Sequence, residues 1–334
     1  MRPREFLVQR RQVLRILGGA VIASGSALRV AAQGRRPAHV GFIGGGAAAA
    51  SHDFLGMFRD GLAALGYAEP TTLRLDPVFA ERALDRIPAL VEELEHRGVD
   101  VIVTHAQATV PVVTSKRRTP VVYQFSADPT TVGIADGLAH PRYDATGITL
   151  LAAELNSKRL ELLRDVNPDS RRLAVIFNPL HPGEHLERAW LDERSRTLGM
   201  EIAYFPTPNR DVLDHALNLL ALEPLDGLLL LPDGLIVQNR QPIIDFALRR
   251  RVPTLSGWAP MAEAGVLITY GPRLVEAYRR AAYFVDRILR GEKAAALPIE
   301  QPTVLELIVN LKTAKAIGLQ VPPLLLTRAD EVIE

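Results

Sequence analysis

Short runs of β-branched and apolar residues alternate with longer stretches of helical periodicity, and the alternation passes through the chain twice. In the first pass, residues 39–43, 71–78, 99–103 and 121–125 read as strands, and 53–65 and 84–97 as helices closed by Gly66 and Gly98. The pattern restarts near residue 148 with a helix over 154–166, ended before Pro168. Strands then follow at 173–177, 201–205, 227–231, 252–255 and 265–270, with helices at 184–198, 211–222, 237–250 and 274–289 between and after them. Strands joined by helical crossovers pair in parallel with right-handed connections. The expectation is therefore an α/β protein of two doubly wound parallel-sheet lobes with an interlobe cleft. Residues 38–147, with part of a C-terminal crossover, form lobe 1; residues 148–300 form lobe 2. Residues 301–334 supply the crossover strand and helix. Sheets of this kind bind ligands at their strand C-termini, near helix N-termini that favour anions.

A chain of 334 residues with 48% hydrophobic and 23% charged side chains has enough apolar material for two cores of ordinary size. It contains no cysteine, which excludes disulfides, thiolate metal sites, a cysteine nucleophile and a lipid-anchor cysteine. Of its 39 basic and 38 acidic side chains, six arginines and one glutamate fall in the first 32 residues, leaving 33 against 37 in the remainder. A mildly acidic body is a poor match for a polyanion, so no nucleic-acid partner is expected.

Those first 32 residues have the order of an export signal. Arg10-Arg11 precede an uncharged stretch over 16–28, and small residues (Val30-Ala31-Ala32) follow before Gln33. The arginine pair is similar to a twin-arginine signal. The apolar stretch falls short of a membrane span. The expectation is an exported periplasmic protein with a mature chain starting near Gln33.

Two motifs touch on catalysis. Gly44-Gly45-Gly46-Ala47-Ala48-Ala49 is a degenerate dinucleotide fingerprint, with Glu69 and Asp76 at roughly the distance of a ribose-binding acid. A helix starting only at Asp53 would leave it as a mobile cleft loop. His181-Pro182-Gly183-Glu184-His185 spells an inverted zinc-peptidase motif, but Pro182 and Gly183 keep His181 off the helix that carries His185, at a junction where both histidines are expected to be solvated. No serine has the glycine flanks of a nucleophile elbow. The expectation is no catalysis, no cofactor and no metal, with an NAD-linked or zinc-dependent enzyme as the rival.

What remains is a set of polar residues at strand ends: Ser51 and His52, then Thr104, His105 and Gln107, then Ser126 and Asp128 in the first half. Asn178, Asp233, Trp258 and Tyr270 follow in the second. Helix N-terminal N–H groups with Thr104 and Gln107 suit a carboxylate. Asp128 or Asp233 suits an ammonium group, and Trp258 or Tyr270 a stacked side chain or cation. Together they describe an amino-acid-like ligand site.

Several segments carry a family resemblance: 86–103, Ala127-Asp128-Pro129, 156–164, Asn178-Pro179, 263–272 and 321–334. The most specific is Gln301-Pro-Thr-Val-Leu-Glu-Leu-Ile-Val-Asn-Leu-Lys-Thr-Ala-Lys-Ala-Ile-Gly318. In these the chain resembles the substrate-binding proteins of ABC transporters of the tryptophan/tyrosine-binding-like family, over essentially the whole mature length. The resemblance implies a type I periplasmic binding fold and capture of a small solute by hinge closure. It also implies delivery to an ABC permease in the cytoplasmic membrane, with a monomer expected. A sensory module handing its closed form to a membrane receptor is the alternative. Ser51 and Thr104 carry over as ligand donors of lobe 1, and Asp128 and Asp233 as polar anchors. Family members often show Gly-Gly-Thr-Pro-Ala after the third strand, where this chain has Thr104-His105-Ala106-Gln107-Ala108.

Overall fold

The computed structural model describes residues 36–150 and 152–334; the expected export signal falls outside the described residues. The first half builds β1 (Ala38–Gly44), β2 (Leu73–Phe79), β3 (Val101–His105) and β4 (Val121–Phe125). A small hairpin of β5 (Ala135–Gly137) and β6 (His140–Pro141) intervenes before β7 (Ala145–Thr149). The main sheet has the order β2-β1-β3-β4-β7 with every pair parallel. Winding direction reverses between β1 and β3, which opens a crevice at their C-terminal ends.

The second half repeats the plan. It contributes β8 (Arg172–Phe177), β9 (Glu201–Pro206), β10 (Gly227–Leu230), β11 (Thr254–Ser256) and β12 (Ile268–Pro272). β13 (Leu305–Asn310) and β14 (Glu331–Ile333) complete a sheet of order β14-β13-β12-β11-β10-β8-β9. Here the reversal falls between β8 and β10. All pairs are parallel except β12 with β13, because β13 enters from the other lobe and runs against its neighbour.

Both sheets are covered on both faces, and their strands accordingly read as near-continuous apolar runs. In the first lobe Val40, Phe42 and Val103 face one layer of helices, while Ile43, Ile102 and Tyr123 face the other.

One helix departs from sequence order. Leu274–Leu289 was expected in the second lobe, but it packs on the first sheet, against the helix Ala48–Ala64. Its buried residues Leu274, Ala277, Tyr278, Ala281, Ala282, Val285 and Ile288 recur every three or four positions and join the core of Val40, Phe42 and Phe58. A Cβ at Gly61 would lie 2.9 Å from Ala282 Cβ and 3.1 Å from Arg279 Cα, so this glycine sets how closely the two helices approach. The chain then runs beside β7, with Glu300 N donating to Gly147 O and Thr149 N to Glu300 O, both at 2.9 Å, before returning to β13. The first lobe is thus closed by residues 274–300, and the second comprises the remainder after β7.

Two local expectations also change. The helix Ala48–Ala64 starts five residues before Asp53, so the glycine run leads almost directly into it rather than forming a long loop. The helix expected over 211–222 runs Arg210–Leu220 and is capped by Asn209, whose Oδ1 accepts from Val212 N at 3.0 Å.

Candidate functional site

The two reversal points face each other across a cavity of about 870 Å³, counting the part open to solvent, lined from both lobes. Seven of the eleven expected residues line it: Ser51, His105, Gln107 and Ser126 from the first lobe, and Asn178, Asp233 and Trp258 from the second.

On the first-lobe side, β3 ends in His105. Its Nε2 lies 3.2 Å from Ser51 Oγ in the first turn of Ala48–Ala64, and its Nδ1 lies 3.2 Å from Tyr278 Oη on the returning helix. The ring packs among Phe42 and Phe54 at centroid distances of 5.3 and 5.2 Å. Burial without a charged partner lowers its pKa to about 4, so the imidazole is neutral near pH 7. The next residue, Ala106, has φ +52°, a left-handed conformation that carries strain for a residue with a Cβ. It turns the chain into the short helical segment bearing Gln107.

The second-lobe side is built on Asp233, which is 4% exposed and caps the helix Gly234–Gln238. Its Oδ1 accepts from Leu235 N at 2.8 Å and from Asn178 Nδ2 at 3.2 Å, which orients the carboxylate at the cavity wall. Trp258, N-terminal to the helix Ala259–Ala264, reaches across and meets Phe54 edge-on at 6.0 Å.

Four expected residues stand elsewhere. Thr104 is fully buried and donates to Ile43 O at 3.0 Å, tying β3 to β1 instead of facing a ligand. His52 is exposed, one residue round the helix from Ser51. Asp128 is exposed and its Oδ1 accepts from Thr130 N and Thr130 Oγ1 at 2.8 and 2.7 Å; it borders a second cavity together with Glu187 and Trp190. Tyr270 is half-buried against the second-lobe core, and its carbonyl accepts from Arg159 Nε at 2.9 Å.

The cavity also uses residues that the sequence reading passed over. Arg82 stands at its edge, donating to Gln238 Oε1 of the other lobe at 3.2 Å. Glu81 and Arg82 are consecutive left-handed residues, at φ +53° and +70°, and the Arg82 amide donates to Gly45 O at 2.9 Å. Phe54, Leu150, Leu274 and Tyr278 supply an apolar wall. Gln124 adds a lone amide to it, and this residue had a signal: it is the one amide side chain in the buried run Val121–Phe125. Arg82 and Tyr278 had none, because nothing local distinguishes them from other loop arginines and core tyrosines.

His181 corrects the expectation of solvated histidines: it is 5% exposed, and His185 alone faces solvent. The His181 ring hydrogen-bonds through Nε2 to Ser126 Oγ of the first lobe, and its Nδ1 lies 3.4 Å from Glu187 Oε1. Behind it, Glu187 Oε2 accepts from Asn156 Nδ2 at 3.0 Å, and Asn156 Oδ1 accepts from Arg159. Burial raises the Glu187 pKa and lowers that of Arg159 to about 10, still high enough to keep the guanidinium protonated. The tight seat of Arg159 depends on Gly257, where a Cβ would overlap both Arg159 and Pro232.

The enzyme-like motifs acquire other roles. A Cβ on Gly44 would meet Phe79 and Ser51 at 2.8 Å, so that glycine permits close packing at the cavity floor. Glu69 pairs with Arg59 at 3.1 Å and Asp76 with His39 at 2.9 Å, away from the cavity lining. Among the described residues no group of three or more His, Asp or Glu side chains is placed to hold a metal ion, and no helix is long and apolar enough to cross a membrane.

Comparison with known proteins gives a consistent picture. Residues 48–333 match the family model described as ABC transporter substrate binding protein. A tyrosine-binding protein of Clostridioides difficile is 19% identical over 257 residues, 76% of this chain and 73% of the relative. An ABC domain in complex with L-Trp from Streptococcus pneumonia superposes with a TM-score of 0.81 at 17% identity, covering 89% of this chain and all of the other. A conserved domain protein from Vibrio cholerae O1 reaches 0.81 at 21% identity, covering 88% and 99%. The fold is that of type I periplasmic binding proteins.

Proposed function

Because the chain belongs to the ABC transporter substrate-binding protein family, we propose that it captures an amino acid or related small organic molecule outside the cytoplasm and releases it unchanged to an ABC permease. The observation that carries this reading is a single cavity with complementary walls. The second lobe offers the oriented carboxylate of Asp233 for an ammonium group. The first lobe offers Arg82, Gln107 and the start of the helix Ala48–Ala64, whose N-terminal residue Ala47 provides no side-chain cap. A ligand carboxylate there gains hydrogen bonds and a favourable helix dipole. Between the two lie Phe54, Trp258 and Tyr278, which suit an aromatic or apolar side group. The tyrosine-binding and L-Trp-bound relatives support the same class.

Hinge closure follows from a ligand that touches both walls. Two hydrogen bonds, Arg82 to Gln238 and Ser126 with His181, and the Phe54–Trp258 ring contact bridge the lobes, which supports a cleft that closes on its ligand. The substrate-binding family and the amino-acid-binding relatives support binding without catalysis. The protein acts as a monomer in this reading, since both walls come from one chain.

The reading is tested by thermal-shift and calorimetric titration with the standard amino acids, followed by solution scattering. A stabilising amino acid that also reduces the radius of gyration is the expected result, because a ligand of the folded state raises its melting point by mass action. If every amino acid leaves the melting point unmoved, or a bound molecule is recovered chemically altered, the proposal fails.

A further inference from the structure

We propose that Gln124 determines specificity within this cavity: its side-chain amide nitrogen selects ligands whose apolar or aromatic side group carries a hydrogen-bond acceptor. The inference rests on the amino-acid reading above and narrows it to one kind of side group.

Gln124 sits near the C-terminal end of β4, in register with His105 of β3 on one side and Ile148 of β7 on the other. It is 5% exposed and lines the cavity. Its Nε2 is enclosed yet has no hydrogen-bond partner. Buried donors in folded proteins are nearly always satisfied, and one left dry costs free energy. The other buried side-chain atoms without partners belong to residues that do not line this cavity.

The surroundings offer this nitrogen nothing. The two ring nitrogens of His105 are engaged by Ser51 and Tyr278, and the adjoining cavity residues Leu150, Leu274 and Phe54 have no polar side-chain atom. The Ser126 hydroxyl is engaged by His181 of the other lobe. The unmet donor therefore points to an acceptor on the ligand. A site built around such a donor discriminates against an analogue that lacks the acceptor, because that analogue buries the amide unpaired.

The aromatic amino acids separate this chemistry. The phenol oxygen of L-tyrosine accepts, L-phenylalanine has no acceptor, and the indole N–H of L-tryptophan only donates. The experiment is calorimetric titration of the purified protein and of Gln124→Leu with all three. The expected result is tyrosine binding about tenfold tighter than phenylalanine in the parent protein. In Gln124→Leu that gap should close to within about twofold, with tryptophan unaffected to the same margin. The melting point of the ligand-free Gln124→Leu protein should hold or rise, since an unpaired donor has been removed. Gln124→Met, which keeps the side-chain length but has no hydrogen-bond donor, should lose tyrosine preference in the same way. If the parent protein does not discriminate, if the gap survives in both variants, or if tryptophan is the ligand that weakens, Gln124 is not the selector and the amino-acid reading stands without it. Failure of the parent protein to bind any amino acid overturns both.

Discussion

The hydroxyl of Ser126, at the end of β4 in the first lobe, is hydrogen-bonded to Nε2 of His181 in the second, and both side chains are more than nine-tenths buried. No covalent or sheet connection holds these two residues together. The contact bridges the two lobes, and His181 is braced from behind by Glu187.

Removing either side of that contact should favour the open state. Ser126→Ala and His181→Ala are each expected to weaken amino-acid binding by about three- to tenfold, the value of one ordinary hydrogen bond. The double variant should be little worse than either single one, because the two changes delete the same interaction. Additive losses would mean that the residues act separately, and binding titrations of the three variants decide it.

Asp233 and Asp128 should behave oppositely. Asp233→Asn keeps an N-cap, since asparagine caps as well as aspartate, but loses the charge. A zwitterionic ligand should then bind roughly 10- to 100-fold more weakly, with the melting point nearly unchanged. Asp128→Asn should leave affinity within about twofold, because its carboxylate is turned to Thr130 at the border of the other cavity. Equal losses at the two positions would disprove the assignment of Asp233 as anchor.

His105 gives the fold an acid-sensitive contribution. Its pKa falls from 6.5 to about 4 because the ring is buried, so the unfolded chain binds the proton more readily than the folded one. The contribution is complete above pH 6.5 and is lost as pH falls toward 4, by on the order of 3 kcal/mol. Glu187 works with the opposite sign: its raised pKa means that its contribution is present at low pH and declines as pH rises through the folded value. Denaturant titrations from pH 7 to 4 should therefore show a steeper decline in the parent protein than in His105→Gln. Parallel curves would show that His105 is not the group responsible.

The buried guanidinium of Arg159 holds Asn156 and the Tyr270 carbonyl. Arg159→Met leaves Glu187 buried without its nearby positive charge, and a loss of about 3 kcal/mol in unfolding free energy is expected. Gly257→Ala should also destabilise, since the added methyl must displace Arg159 or Pro232. Urea midpoints for the two variants check both statements; unchanged midpoints would show that the network does not support the second lobe.

Much of this was legible in the order of residues. The alternation of buried runs with helical periods specified two parallel sheets, because both signals are local and repeat with fixed spacing. A strand end followed by a capping aspartate or a polar turn also marked Asp233, His105 and Asn178, since sheets of this winding expose that end. What the tertiary structure decided was non-local. The apolar face of Leu274–Leu289 fits either lobe by periodicity, and only the close approach at Gly61 and Ala282 assigns it to the first. Thr104 and His105 are neighbours in one strand, so their side chains leave opposite faces; which face meets the cavity depends on the helices packed above it. His181 is a loop residue by every sequence signal, yet it is buried and bonded to a residue 55 positions earlier. Strand and helix periods are properties of a few consecutive residues, whereas burial, partner choice and an unmet donor such as Gln124 Nε2 depend on which distant surfaces meet.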